Sequence, residues 1–445
     1  MDKTNRPRSW GRYPRVQHSG VQPIYWRDEL PDLAHAGQAV LPYGYGRSYG
    51  DSCLNANGIL LDASHLNRFI AFDEAQGIMR CEAGVSLAEI LDVIVPRGWF
   101  IPVSPGTKFV SVGGAIANDV HGKNHHRAGT FGCHVTCFEL LRSNGARLIC
   151  SPRENVGLFE ATIGGLGLTG LILWAEFRLK PVVSPLIAMQ RVRFASLEEF
   201  NALSAEADQH YEYTVSWVDI LVGGKELCRG LFMSGNHDET PLKSTARGGR
   251  KLPLAVPFDL PSLALNPLTV KTFNELYYHA QIAKKVEKVV HYEPFFYPLD
   301  AIHNWNRLYG RRGFLQYQFV VPFDHGDEAM RDILARIRHS GEGSFLTVLK
   351  HFGAMQSPGM LSFPRPGLTL ALDFAFGGQK TLRLLDDLDA IVRESGGAVY
   401  PAKDARMSGE NFRAFFPRWQ EFAQYIDPHF SSSFWRRVSC ERQPT

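Results

Sequence analysis

The sequence predicts an α+β fold in two parts, and three features of the chain point to it. Its 445 residues are enough for roughly two to three domains of ordinary size. In the first part, short apolar strands alternate with glycine-bearing segments at 44–50, 106–114, 129–132 and 164–170. Glycine density falls at 181–185, and strands alternating with amphipathic helices follow. We therefore predict a domain boundary near residue 185.

Composition and charge argue against several classes of protein. Hydrophobic residues make up 44% of the chain and charged residues 21%, which is typical of a soluble globular protein. A net charge of +3 is too small for a nucleic-acid binder. No segment resembles a signal peptide or has the ~20 apolar residues of a membrane span, so a cytoplasmic protein is expected. Seven cysteines without a CxxC pair argue against disulfides and against a zinc knuckle.

The first part begins with two predicted strands, 38–43 and 58–62, on either side of a glycine turn. This turn does not fit a Rossmann dinucleotide site, because too few residues follow it to form the helix that such a site requires. A strand at 78–85 leads into a helix, where Ser86 and Glu89 have the spacing of a capping box.

A hairpin and a second glycine motif complete this part. Strands at 138–142 and 147–150 are separated by a short turn that contains glycine, which is typical of a β-hairpin. Residues 165–170 match GxGxxG, but a helix at 158–163 precedes them and a strand at 171–177 follows. A dinucleotide site requires the opposite order, so these glycines are expected to line some other pocket.

The second part is predicted to be an antiparallel sheet backed by helices. The pattern predicts helices at 196–208, 327–340 and 382–394, and strands at 316–321, 345–350 and 368–374. Alternation in the first of these strands places Gln316 and Gln318 on one face. Residues 235–271 are rich in glycine, proline and charge, which favours a lid, a surface loop or, through the apolar residues at 252–258, a contact with lipid.

The stretch 105–132 combines small residues with hydrogen-bonding side chains. This composition suits a buried cofactor bed, although a glycine-rich surface loop is the alternative. His121, His125 and His126 lie close together, but no HExxH or related pattern accompanies them, and we predict no metal site. The chain has neither a P-loop nor a GxSxG nucleophile elbow. One large cofactor held by several glycine loops explains the pattern best.

Some motifs are more specific than the glycines alone. They are HGKNHH at 121–126 and AKD at 402–404, together with GRSYGD at 46–51, WNRLYGRRG at 305–313 and SFP at 362–364. In these motifs the chain resembles the decaprenylphosphoryl-β-D-ribose 2-oxidase family, within the vanillyl-alcohol-oxidase (PCMH-type) flavoproteins. The resemblance covers nearly the whole chain.

This resemblance implies a division of the chain into three segments. Residues 1–185 would form a PCMH-type FAD-binding domain of two α/β subdomains. Residues 186–397 would form an inserted substrate domain, with an antiparallel sheet flanked by helices. Residues 398–445 would complete the FAD-binding domain, and the flavin would lie between the two domains.

The resemblance also implies which residues hold FAD. They are Gly44, Gly46, Arg47, Ser48, Tyr49, Gly50, Asp51, Gly106, Ser111, Val112, Gly113, Gly114, Asn118, His121, Ile172 and Tyr400. In many relatives a histidine of the first glycine turn is bonded covalently to the flavin. Arg47 stands at that place here, so a non-covalent FAD is expected.

The implied reaction moves a hydride from C2 of a polyprenyl-phosphate-linked ribofuranose to flavin N5 and leaves a 2-keto sugar. A partner NAD(P)H-dependent ketoreductase would complete a 2-epimerisation in cell-wall polysaccharide synthesis, with a peripheral contact at the inner membrane. His121, Lys403 and Tyr49 are the candidate catalytic residues. A core histidine at 121 and a surface ion pair between 403 and 404 are the structural alternatives.

Three further residues are candidates for binding the sugar or its phosphate, namely Lys123, Gln318 and Lys350. One position departs from the family, since Ala371 stands where mycobacterial members carry a cysteine. Covalent thiol-directed inhibitors are therefore expected to fail here, and the lipid carrier stays open. Two other functions stay open as well: an aldonolactone or alditol oxidase that uses oxygen, and a non-catalytic binding protein.

Overall fold

The computed structural model describes residues 7–35, 37–222, 227–240, 254–261, 266–344 and 346–440. The strands of the first part are β1 (Gly20–Pro23), β2 (Val40–Tyr43), β3 (Ile59–Asp62), β4 (Phe69–Asp73), β5 (Ile78–Glu82), β6 (Trp99–Phe100), β7 (Val135–Leu141), β8 (Arg147–Cys150), β9 (Leu171–Arg178) and β10 (Lys180–Pro181). Its helices are α1 (Leu87–Ile94), α2 (Val112–Ala117), α3 (His125–Ala128) and α4 (Val156–Thr162).

These strands form two main sheets. One is parallel, in the order β1-β3-β2, and the other is antiparallel, in the order β4-β5-β9-β7-β8. The predicted hairpin is confirmed as β7 and β8. The capping box is confirmed too: Ser86 Oγ accepts a hydrogen bond from the Glu89 amide at 3.2 Å, and the Glu89 carboxylate accepts one from the Ser86 amide at 2.8 Å. Helix α4 precedes the GxGxxG match and β9 follows it, as predicted.

The second part contributes a larger set of strands. They are β11 (Leu186–Phe194), β12 (Tyr213–Asp219), β13 (Arg229–His237), β14 (Leu254–Ala255), β15 (Lys285–His291), β16 (Ile302–His303), β17 (Phe314–Val321), β18 (Thr347–Phe352), β19 (Gly367–Ala375) and β20 (Ala398–Val399). The helices from here to the end are α5 (Leu197–His210), α6 (Pro267–His279), α7 (Tyr292–Phe296), α8 (Phe323–Ser340), α9 (Gln379–Glu394), α10 (Gly409–Phe415), α11 (Trp419–Ala423) and α12 (Ser433–Ser439).

An eight-stranded sheet dominates this part, in the order β15-β11-β13-β12-β18-β19-β17-β20. Every neighbouring pair in it is antiparallel. Helices α5, α8 and α9 bury their apolar faces in the same hydrophobic core as β17 and β19. The fold is therefore α+β, and the prediction of an antiparallel sheet backed by helices is confirmed. Strand β20 belongs to this sheet although it lies just beyond residue 397.

One hydrophobic core connects the parallel sheet, the eight-stranded sheet and the C-terminal helices. It contains Leu41 and Leu60 from the parallel sheet, Phe319 from β17, and Phe412 and Phe434 from α10 and α12. Backbone hydrogen bonds tie the C-terminal segment to the first part, since the Val40 amide donates to the His429 carbonyl at 2.8 Å. The N-terminal and C-terminal regions consequently pack as one body.

Two element boundaries differ from the sequence prediction. Helix α8 begins at Phe323 rather than at 327. The sequence concealed the first turn because Gly326 interrupts the apolar pattern, whereas in the fold Gly326 packs against Leu368. Helix α9 begins at Gln379 rather than at 382. Strand β18 runs from Thr347 to Phe352, later than the predicted 345–350, and Phe345 lies outside the described residues.

Residues 235–271, where we expected a lid, a surface loop or a contact with lipid, contain parts of three regular elements. Strand β13 continues to His237, β14 pairs with β16, and α6 begins at Pro267. Asn266 caps α6 by accepting hydrogen bonds from the amides of Leu268 and Thr269, a signal that the proline-rich context obscured in the sequence. Residues 241–253 and 262–265 of this segment lie outside the described residues. Among the residues that are described, no helix combines the length and apolar character required to cross a bilayer.

Candidate active site

A cavity of about 350 Å³ lies between the glycine turns of the first part and one face of the eight-stranded sheet. Its walls come from the first turn at 42–49, from the stretch 104–123 and from strands β17, β18 and β19. Tyr400, Ala402 and Lys403 add a wall from the C-terminal segment. A concave site of this size, built from several parts of the chain, suits a cofactor or another small molecule.

The first glycine turn forms one wall of the cavity. Gly46 has a left-handed backbone, with φ of +62°, and a side chain there would collide with the Tyr43 hydroxyl. Arg47 faces the cavity and places its guanidinium carbon 4.2 Å from the centre of the Trp10 ring. Its buried Nε has no hydrogen-bond partner among the described residues. A buried cationic donor without a partner is suited to an anionic group of a ligand.

The stretch after residue 105 supplies a second wall of backbone and small side chains. Ser111 caps α2, its Oγ accepting a hydrogen bond from the Gly114 amide at 3.2 Å. Asn118 donates from Nδ2 to the Gly114 carbonyl at 2.8 Å, and the Tyr400 hydroxyl donates to the Asn118 carbonyl at 2.6 Å. A Cβ added to Gly106 would meet no atom within 4 Å, so this wall is open to a ligand.

His121 stands between a glutamine and a lysine of the sheet. Its Nε2 lies 2.9 Å from the amide nitrogen of Gln318, and its Nδ1 lies 2.9 Å from Lys350 Nζ. Lys350 also donates to the Gly122 carbonyl at 2.7 Å. Burial, followed by the nearby charge of Lys350, holds the pKa of His121 well below its usual value. His121 is consequently neutral at physiological pH.

Each ring nitrogen of His121 has one partner from the sheet. A neutral imidazole donates from one nitrogen and accepts at the other. The Gln318 amide lies against Nε2, and Lys350 Nζ, which also donates to the Gly122 carbonyl, lies against Nδ1. Burial, followed by the charges of Lys123 and Lys403, holds the pKa of Lys350 well below its usual value. Both ring nitrogens of His121 are thereby engaged.

Two further lysines face the same cavity. Lys123 donates from Nζ to the Phe296 carbonyl at 3.2 Å, and burial lowers the pKa of Lys123 to about 8. Lys403 places its Nζ 3.9 Å from the centre of the Tyr49 ring. Within the described residues Lys403 Nζ makes no hydrogen bond, and burial lowers its pKa while Asp373 opposes that shift. Three lysines and Arg47 therefore make the cavity suitable for an anionic ligand.

A buried carboxylate lies behind the Lys403 side of the cavity. Asp373 accepts a hydrogen bond from Gln316 Nε2 at 2.5 Å and one from the Tyr309 hydroxyl at 3.4 Å. Burial raises the pKa of Asp373, and burial also raises the pKa of Tyr49 well above its usual value. Tyr49 consequently stays protonated over the physiological range and can act as a hydrogen-bond donor.

Most of the residues predicted from the sequence line this cavity. The lining residues among them are Gly44, Gly46, Arg47, Ser48, Tyr49, Gly106, Ser111, Gly113, Gly114, Asn118, His121, Lys123, Ile172, Gln318, Lys350, Tyr400 and Lys403. They come together although they are separated by more than 300 positions in the sequence. Ala371 also lines the cavity, on β19 beside Gln318 and Val348.

Three predicted cofactor residues do not form part of the cavity wall. Gly50 packs against the Asp404 carbonyl, where a side chain would not fit. Asp51 is buried behind the turn and pairs with Arg437, whose Nη2 lies 2.6 Å from Oδ1. Val112 is fully buried in the core beneath α2. These residues support the turn and the helix from behind instead of facing a ligand.

Sequence reasoning missed several lining residues. The sequence could have identified Gln316 as a lining residue, because it lies on the same strand face as Gln318. Thr369 and Ala371 share a face of β19 in the same way. Trp10, Phe296 and Asp300 line the cavity from short or irregular segments, where no periodic pattern exists to identify them.

The residues present fit a flavin dinucleotide. The open wall at Gly106 accepts a flat or extended group, Arg47 offers an unpaired donor to a phosphate, and Lys403 offers positive charge on the sheet side. Small residues and backbone amides make up much of the remaining wall, which allows close approach of a cofactor.

Comparison with known proteins agrees with this assignment. Residues 28–151 match the family model described as an FAD binding domain. The decaprenylphosphoryl-beta-D-ribose oxidase of Mycolicibacterium smegmatis is 37% identical, over 98% of this chain and 97% of that protein. A putative D-arabinono-1,4-lactone oxidase of Neurospora crassa is 29% identical over 34% of this chain and 27% of its own length. L-gulonolactone oxidase of Bos taurus is 26% identical over 40% of each chain.

The fold, the cavity and the matched domain define an FAD-dependent oxidoreductase of the PCMH type. Because a relative of known family matches nearly end to end at 37% identity, the chain belongs to the decaprenylphosphoryl-β-D-ribose oxidase family. The lactone oxidases match only part of the chain, about the extent expected for a shared cofactor domain.

Proposed function

We propose that this protein oxidises the C2 hydroxyl of a polyprenyl-phosphate-linked ribofuranose, or of a closely related sugar, to a 2-keto sugar. The observation that carries the proposal is the convergence of Lys123, Lys350, Lys403 and His121 on one cavity. A cationic site suits a sugar phosphate, and the whole-length likeness to a ribose oxidase supports this substrate class.

The flavin is held by the first glycine turn, by Gly106, by the start of α2 and by Tyr400. Bound FAD supplies the acceptor for the hydride that leaves the sugar carbon. Arg47 stands in place of the histidine that binds flavin covalently in many relatives, and this supports a dissociable cofactor.

Among the candidate bases, Lys403 is the residue that accepts the hydroxyl proton. Its Nζ has no hydrogen-bond partner among the described residues, and burial lowers its pKa so that a free amine is available near neutral pH. Both nitrogens of His121 are engaged by Gln318 and Lys350, so His121 holds these two side chains in place and leaves neither nitrogen free to take the proton. Lys123 and Lys350 bind the phosphate, and Tyr49 donates a hydrogen bond beside Lys403.

The division of the chain follows from the same assignment. Residues 1–185 together with 398–445 form the FAD-binding domain, and 186–397 form the substrate domain. The pairing of Asp51 with Arg437 supports the return of the C-terminal segment to the first domain. The keto product requires a second enzyme, an NAD(P)H-dependent ketoreductase, if it is to be returned as the epimeric alcohol.

Anaerobic stopped-flow absorbance of the bound flavin tests the proposed function. Bleaching by a polyprenyl-phosphoryl ribose, with no bleaching by L-gulono-1,4-lactone or xylitol, is the expected result. Bleaching by the lactone or the alditol alone would instead assign a lactone or alditol oxidase. A protein purified without bound flavin that also fails to take up added FAD would be a binding protein of another kind.

A further inference from the structure

Exposed apolar side chains are concentrated on α6 and on the residues that follow it. Leu268 is 73% exposed, Leu276 is 69% exposed and Ile282 is 91% exposed. Aliphatic side chains of this size are among the most frequently buried in proteins, and an exposed group of them marks a contact with another molecule or with lipid.

The orientation of α6 explains this exposure. Val270, Asn274 and Tyr278 are spaced by four residues and are buried, so this side of the helix faces the protein. Leu268 and Leu276 lie on the outward side. A helix on the surface of a soluble protein normally has the opposite arrangement, with polar residues outward. Helix α6 therefore exposes large aliphatic side chains among the polar residues of its outward side.

Helix α6 lies on the side of the sheet that lines the cavity. Asn274 donates from Nδ2 to Asp219 Oδ1 at 3.0 Å, and the Tyr277 ring is 4.7 Å from the ring of Trp217. Trp217 is paired with Val348 across β12 and β18, which places both side chains on one face of the sheet. Val348 lines the cavity, so α6 is its neighbour on that face.

A second exposed apolar segment flanks the cavity from another direction. Leu254 is 73% exposed and Phe258 is 64% exposed. Arg307 holds this segment by donating to the carbonyls of Val256 and Pro257 at 3.0 and 2.7 Å. Trp305, two positions before Arg307, lines the cavity. Apolar surface thus borders the cavity on two sides.

The charges around α6 favour one kind of partner. Residues 266–291 contain four lysines and two glutamates, and Lys271 and Lys288 are exposed. Exposed aliphatic residues next to lysines are typical of surfaces that lie on anionic lipid, where the apolar groups enter the interface and the lysines contact the headgroups.

We infer that α6, Ile282 and the segment 254–261 form a docking surface for an anionic lipid membrane, which holds the cavity beside the bilayer. The inference deepens the proposed function and rests on it in one respect, because a polyprenyl-linked substrate resides in the membrane. Docking would let the sugar phosphate enter the cavity while its lipid chain stays in the bilayer.

Vesicle co-sedimentation of the FAD-loaded protein tests the inference. We expect binding to phosphatidylglycerol-containing vesicles, and weaker binding to vesicles of phosphatidylcholine alone. Ile282→Glu and Leu276→Glu should each weaken binding by about tenfold or more, since each removes the burial of one large aliphatic side chain. Lys271→Glu combined with Lys288→Glu should remove the preference for anionic lipid. Val183→Glu is the matched control, because Val183 is 60% exposed on the loop after β10.

The inference is overturned if Ile282→Glu binds vesicles as tightly as Val183→Glu does. It is also overturned if sedimentation velocity shows a dimer that Ile282→Glu dissociates while no variant binds lipid, because the face would then join two copies of the chain. Flavin bleaching by a soluble, short-chain phosphoribose separates this inference from the proposed function. Lipid binding without bleaching by any sugar would refute the substrate and leave the docking surface in place.

Discussion

At the scale of single residues, the arrangement around His121 supports the proposal that one set of groups positions the sugar and another group takes its proton. Gln318 and Lys350 each engage one nitrogen of the imidazole, and the low pKa of His121 keeps the ring neutral. Lys403, which lines the same cavity beside Tyr49, has an amine without a hydrogen-bond partner in the described part of the chain. This asymmetry supports the proposed role of Lys403 as the base.

The first residue-scale prediction concerns the pH dependence of flavin reduction. Burial lowers the pKa of Lys403, so the amine loses its proton at a pH below the usual lysine value of about 10.4. The rate of anaerobic flavin reduction should rise with pH through that lowered pKa and then level off. Lys403→Met should abolish this limb and reduce the rate by about 100-fold or more, the range for loss of a general base.

Lys284→Met is the matched control, because Lys284 is an exposed lysine that pairs with Glu199 far from the cavity. It should keep both the rate and its pH limb. If Lys403→Met retained the limb and His121→Gln lost it, the base would be His121.

At the scale of elements, helix α12 joins the first glycine turn to the turn that contains Lys403. Arg437 pairs with Asp51 at 2.6 Å, behind the first glycine turn, and with Asp404 at 2.8 Å, next to Lys403. Both carboxylates are almost completely buried. Burial raises the pKa of Asp51 and Arg437 opposes this shift, whereas at Asp404 the charges of Arg437 and Arg406 outweigh burial and hold the pKa below its usual value. The Tyr49 amide also donates to the Ala402 carbonyl at 2.8 Å, so the two turns are joined directly as well.

Removing this guanidinium should destabilise the protein substantially. Arg437→Met leaves two buried carboxylates unpaired, and the free energy of unfolding should fall by about 3 kcal/mol or more near neutral pH. The difference should shrink as the pH approaches about 4, because protonated carboxyls no longer require the cation. Urea unfolding at several pH values, with FAD affinity measured in parallel, checks both statements.

An exposed ion pair provides the control for this element. Arg418 pairs with Glu160 and Glu421 at 3.0 and 2.7 Å, with nearly half of its side chain exposed. Arg418→Met should cost at most about 1 kcal/mol. Equal losses for the two variants would show that Arg437 has no special role in holding the turns.

At the scale of the whole molecule, the cavity unites both sheets and the C-terminal segment, so the cofactor should stabilise all of them together. Acid precipitation is expected to release FAD into the supernatant and to leave a colourless pellet. Native protein stripped of FAD should unfold at a lower temperature, and FAD at 100 times its dissociation constant should restore about 2.7 kcal/mol. Colour retained by the washed pellet would indicate a covalent bond and contradict the proposal based on Arg47.

Much of this organisation follows from local sequence patterns. Periodicity and capping residues predicted α1, the β7–β8 hairpin and the helix-backed sheet, because each depends on residues close together in the chain. The specific motifs identified most of the cavity wall. The sequence patterns did not show contacts between residues that are distant in the chain. Asp51 belongs to the GRSYGD motif and was expected to contact the cofactor, but it pairs with Arg437 and does not line the cavity.

The elements that the sequence concealed have a common cause. Helix α6 was not recognised in the sequence, because Leu268 and Leu276 on its outward side weaken the amphipathic contrast that identifies a surface helix. Trp10, Phe296 and Asp300 line the cavity from segments whose sequence has no hydrophobic periodicity. They reach the cavity only because segments that are distant in the chain pack together. Local patterns carry no information on such contacts.

The position of Lys403 late in the chain has a consequence for biosynthesis. The first glycine turn is translated more than 350 residues before Lys403, and the Tyr49 amide finds its Ala402 partner only when that late segment has left the ribosome. Domains commonly fold in the order of their synthesis, but the walls of this cofactor site come from segments that are synthesised far apart in time. A nascent chain therefore cannot enclose its flavin until residues 402 and 403 have been made, so loading of the cofactor follows the synthesis of residues 186–397.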